Sequence, residues 1–78
     1  MPTALRIGPY RFFFYSNEGA EPPHIHVQRD KALAKFWLDT GELAKSRHFA
    51  AHELTEISGL VETHQAALLE AWNEHYHG

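Results

Sequence analysis

At 78 residues the chain has room for one domain, 1–78, and a core that buries only about 60% of the unfolded surface. The absence of cysteine excludes disulfides and thiolate metal sites. No apolar run approaches the roughly 20 residues that a bilayer-spanning helix needs, and no secretory pattern stands at the N-terminus, so no membrane association and a cytoplasmic location are expected.

The net charge of −3 conceals two unlike halves. All seven Lys and Arg residues lie at or before Arg47, against five acids (Glu18, Glu21, Asp30, Asp39, Glu42), a balance of +2. From His48 onward stand five Glu and no Lys or Arg, a balance of −5. The first half is suited to an anion and the second repels one. Along the linear sequence no basic stripe is evident, so nucleic acid is not indicated by net charge.

Thr3 to Ile7 alternates weakly, as a short edge strand does, and Gly8-Pro9 ends it. Tyr10 to Tyr15 is dense in aromatics on both faces, the mark of a central strand over 10–15. Ser16 to Pro23 is a polar loop whose Pro22-Pro23 stiffens the approach to a strand over 24–29. Asp30-Lys31 reads as a hairpin turn into a strand over 32–38. With that turn, Arg29 faces Ala32, Val27 faces Ala34 and Ile25 faces Phe36 on one apolar side. His26 then meets Lys35, and His24 meets Trp37, on the side away from the core.

Residues 42–45 form a fourth short strand or an irregular link. From Ala51 the period changes: Leu54, Ile57, Val61, His64, Leu68 and Trp72 recur every three or four residues, predicting a helix over 51–76. Its N-cap, Ala50, has no capping oxygen, and Gly59 costs roughly 1 kcal/mol relative to Ala in a helix interior. One continuous helix of that length would run about 39 Å and overhang a sheet of short strands. Either Gly59 breaks it or its C-terminal half packs on another subunit; the second alternative predicts a homodimer through this helix. The expected fold class is α+β: an antiparallel meander of three to four strands with one long C-terminal helix packed on one face.

The sharpest constellation is Pro22-Pro23-His24-Ile25-His26-Val27. Two imidazoles at i and i+2 of a strand share a face. The plainest reading packs both rings against Trp37 with hydrogen-bonded nitrogens. A second makes them a general acid–base pair, with Lys35 and Arg11 holding phosphate, in a small ribonuclease or hydrolase. The weakest makes them ligands of a divalent metal, with Glu18, Glu21 or His48 as third donor; no cofactor is otherwise expected. Phe13 and Trp37 fall on the same face, where they stack on a ligand or bury a contact, with Glu18 and Glu21 in the loop alongside.

The segments Tyr10-Arg11-Phe12-Phe13-Phe14-Tyr15-Ser16-Asn17-Glu18, Glu21 to Val27, Ala34 to Leu38, Glu53-Leu54 and Leu68-Leu69-Glu70-Ala71-Trp72 together resemble a bacterial family of small proteins known as a domain of unknown function. The resemblance covers nearly the whole chain. It implies no particular chemistry. Family members often stand beside a gene for another small domain, which implies a two-protein module of the toxin–antitoxin or regulatory kind. The chain departs from the family at His48-Phe49-Ala50, where Gly-Phe-Ser is usual, and at Thr40, where Pro commonly follows the acidic residue. The expected function is therefore a small dimeric binding or regulatory module.

Overall fold

Five strands run in the order β1 (Thr3–Ile7), β2 (Tyr10–Phe13), β3 (His24–Arg29), β4 (Ala32–Trp37) and β5 (Leu43–Arg47), followed by helices α1 (Ala51–Thr63) and α2 (Gln65–His77). The computed structural model describes residues 3–15 and 20–77. The strands form one antiparallel sheet whose spatial order repeats the chain order. Each connection is therefore local.

The β3–β4 hairpin has the expected register: Ile25↔Phe36, Val27↔Ala34 and Arg29↔Ala32 alternate with His24↔Trp37 and His26↔Lys35. Asp30 in the turn takes φ 54°, the left-handed region that Asp tolerates better than most residues. The outer bounds differ from expectation. β2 ends at Phe13 and β4 at Trp37, and the uncertain link at 42–45 is a true fifth strand, Leu43–Arg47. A register shift between Lys35 and Phe36 accommodates it. Its five residues are all exposed, so no buried period marked it in the sequence.

One face of the sheet carries Tyr10, Phe12, Ile25, Val27, Ala34 and Phe36 against Ile57 and Val61 of α1 and Leu68 and Trp72 of α2. The single long helix is corrected to two. The break falls at His64, with φ −104° and ψ 15°, and not at Gly59, which continues α1 with open space around it. One contact fixes the turn to the end of β4, and a second ties that end of β4 to the segment before β3. The Gln65 side chain donates to the Leu38 carbonyl, and the Leu38 N–H donates to the Pro23 carbonyl at 2.9 Å.

A continuous helix over 51–76 would exceed the molecule's longest extent of 34 Å, and the radius of gyration is 11.5 Å. The C-terminal half instead seats Leu68 and Trp72, 1% and 2% exposed, on its own sheet. That removes the overhang from which a dimer was expected.

The start of α1 is held by Glu53, whose carboxylate accepts from the Ala50 N–H at 3.0 Å and from Arg29. These bonds, the Ala50 one foremost, hold the Glu53 carboxyl below its usual range. Just before, His48 adopts φ 67°, a conformation that is costly for a residue bearing Cβ. This is the position at which the resembling family has glycine. His48→Gly is therefore expected to raise stability by about 0.4–1 kcal/mol, measured as a higher urea midpoint. An unchanged or lower midpoint would contradict the strained conformation.

Candidate functional site: the outer sheet face

The pleat sends alternate residues of every strand to the face opposite the helices. There the register lines up Arg6, Arg11, Gln28, Leu33 and Arg47 in one row, and Phe13, His26, Lys35 and Lys45 in the next. Five of the seven basic residues, Arg6, Arg11, Lys35, Lys45 and Arg47, thus share one face. The basic surface that the linear sequence did not display is assembled by strand pairing.

Phe13 stacks on His26 with ring centroids 5.6 Å apart, and Tyr15 meets His26 edge-on at 4.4 Å. The Arg11 guanidinium lies 4.7 Å over Phe13, and the Lys35 ammonium 4.6 Å over Trp37. Cation–π placements of this kind fix long side chains that would otherwise wander. Lys35 also reaches Glu21 at 2.8 Å, tying the β2–β3 loop to the sheet. Arg11 is held by Thr3, Nε to Oγ1 at 2.8 Å.

A recess of about 250 Å³ opens on this face, lined by Tyr15, His26, Lys35, Lys45 and Arg47 over a floor from Leu33 and Ala34. Among the described residues no carboxylate lines it. Lys45 and Arg47 are exposed and make no ion pair among the described residues. Lys45 and Arg47, beside an imidazole and a phenol and next to a Lys35 that already pairs with Glu21, make the recess suited to a carboxylate or phosphate oxygen.

The two histidines are adjacent as expected, 5.1 Å between centroids and nearly perpendicular. They lie on the side away from the core as expected, yet both are buried there: His24 is 0% and His26 4% exposed. Trp72 of α2 reaches the start of β3 and lies 4.9 Å from the His24 ring, while Trp37 meets it edge-on at 5.7 Å. His24 Nδ1 donates to the Pro22 carbonyl at 2.9 Å, because a carbonyl can only accept. The plainest expectation, rings packed against Trp37, describes His24 well.

Of the acid–base group, His26 and Lys35 meet at the recess. His24 is walled off behind the aromatic cluster, and Phe13 stands between Arg11 and His26. Among the described residues no group of three His, Asp or Glu is arranged to hold a metal. Of the expected third donors, Glu21 pairs with Lys35 and Glu18 lies outside the described residues. His75, near the end of α2, stacks on Phe14 at 5.7 Å.

Tyr15, Lys45 and Arg47 were missed as site residues. Their signal was present: Lys45 and Arg47 alternate as Lys35 and Leu33 do on the neighbouring strand. On the helix side, Tyr10 donates to Glu56 at 2.6 Å. That bond, with burial, pushes the phenol up to about 12. It has no bearing on the outer face.

A five-stranded antiparallel meander backed by two helices, with a basic and aromatic outer face, is an α+β domain. The chain belongs to the family described as the domain of unknown function DUF4160, whose model matches residues 10–73. No curated protein and no solved structure matches it. No helix among the described residues is long and apolar enough to cross a membrane.

Proposed function

We propose that this chain is a small binding and regulatory module, one component of a two-protein system of the toxin–antitoxin kind, that grips an anionic group of its partner on the outer sheet face. The observation that carries the proposal is the recess at His26, Lys35, Lys45 and Arg47, where Lys45 and Arg47 are exposed and no carboxylate among the described residues lines the wall. The acids of the C-terminal half lie on the helices at the opposite side of the sheet, so the molecule is electrically two-sided. A partner carrying clustered carboxylates or phosphates is drawn to one side and repelled by the other. The proposal needs no second copy of the chain, since α2 is satisfied on its own sheet.

The test is retention on a sulfonate cation exchanger at pH 7 and low salt. A chain of net charge −3 with evenly mixed charge would flow through. The wild type is expected to be retained, and Lys45→Glu with Arg47→Glu is expected to abolish retention without unfolding the sheet, since both side chains are exposed. Flow-through of the wild type would overturn the proposal.

A hydrolase reading is favoured by one observation, the placement of His26 beside Lys35 in the recess. It would rest on His26 as the single general base or acid. RNA cleavage left unchanged by His26→Ala would remove it.

A further inference from the structure

Among the described residues β5 is an edge strand, bonded only to β4, and every residue from Leu43 to Arg47 is exposed. An edge of this kind offers a row of backbone donors and acceptors for another strand. Its two flanks differ chemically. On the outer flank lies the basic recess with Lys35, Lys45 and Arg47. On the helix flank lies a groove of about 660 Å³ between β5 and α1, with an apolar floor that includes Leu43 and Leu54 and with Glu42 and Glu62 at its margin. Leu43 is the large apolar side chain left exposed, at 41%.

We infer that the β5 edge takes an extended segment of a partner protein as a sixth strand, with acidic and apolar residues alternating. This inference rests on the reading of the outer face as an anion site and names its occupant. A strand added beside β5 would send its side chains alternately to the two flanks. Those on the outer flank meet Lys45 and Arg47, and so are Asp or Glu. Those on the helix flank meet Leu43 and Leu54, and so are apolar. The carboxylates of Glu42 and Glu62 repel an acidic residue there, which sets the strand's register, because a slip by one residue would exchange the two sets.

A second copy of this chain is a poor occupant. Antiparallel pairing of two β5 strands about their centre would set Lys45 opposite Lys45, and like charges directly opposite are destabilising. The same lysine that discourages self-pairing, as edge lysines commonly do, attracts an acidic strand. Nucleic acid would use the recess but leave the backbone edge unpaired. The other edge, β1, has three of its five residues half-buried and lacks a groove of comparable size.

The experiment uses the full chain with three probes: a short alternating Glu–Val peptide, its Lys–Val counterpart, and single-stranded RNA. Amide hydrogen exchange is followed residue by residue. The Glu–Val peptide is expected to bind and to slow exchange within 43–47, while the Lys–Val peptide does not bind. Lys45→Glu with Arg47→Glu is expected to weaken the Glu–Val peptide by about tenfold or more. If RNA binds and the peptide does not, or if the peptide binds with exchange in β5 unchanged, the edge inference is overturned while the anion site stands. If no anionic probe binds, both fall.

Discussion

Trp72→Ala is expected to cost about 3–5 kcal/mol, the range for removing a buried aromatic from a well-packed core. The indole is 2% exposed and ties α2 to β3 and to the segment that follows β2. It meets Phe14 edge-on at 5.7 Å, lies 4.9 Å from His24 on β3, and lies 4.2 Å from Tyr76 one helical turn on. A domain of this length has a total stability of roughly 4–12 kcal/mol at 0.05–0.15 kcal/mol per residue. One substitution would then remove about a quarter or more of it. At about 4–8 °C per kcal/mol, the melting temperature should fall by more than about 12 °C. Gly59→Ala serves as a contrast. Its added methyl meets nothing within 4 Å, and it should gain roughly 0.5–1 kcal/mol. A loss below about 1 kcal/mol for Trp72→Ala, the level of an ordinary substitution, would show that α2 is not docked on the sheet as described.

The second large effect is expected at His24. Truncation to alanine removes a ring that is 0% exposed between Trp37 and Trp72, and it takes away the Nδ1–H that serves the Pro22 carbonyl at 2.9 Å. The cavity left by so buried a ring supplies most of the cost, since Pro22 is exposed and its carbonyl can turn to water. His24→Ala should therefore destabilise by about 3 kcal/mol, read from urea unfolding. Exchange should also quicken at the Leu38 amide, which donates to Pro23 in the same turn. Near-wild-type stability with lost partner binding would instead make His24 a contact residue. The expected result separates two neighbouring histidines: His24 holds the loop before β3 in place, and His26 looks into the recess.

Much of the sheet was legible because its physical cause is local. Around Asp30-Lys31 two sets of residues alternate, Ile25, Val27, Ala34 and Phe36 against His24, His26, Lys35 and Trp37, and only one register keeps the sets apart. The helix break was not legible. The apolar spacing runs on through His64, and no Gly or Pro stands there. The turn is set by Gln65 reaching the Leu38 carbonyl, a contact between residues 27 apart in sequence.

The burial of His24 was hidden for the same reason. Its cover is Trp72, 48 positions on, brought over the end of β3 by the turn at His64. β5 was half visible, since its exposed residues carry no buried period. Losing its far end meant losing Arg47 from the site. The basic face became apparent only when cations scattered from Arg6 to Arg47 were placed on a common side by the pleat.

We propose that the outer face, not the helices, is where this protein binds. That claim is tested most directly by following backbone amide chemical shifts during titration with inorganic polyphosphate, at low and at raised salt. The account predicts shifts clustered at His26, Lys35, Lys45 and Arg47 that weaken as salt rises, as counterion screening requires. Shifts confined to α1 and α2, or none at low salt, would contradict it.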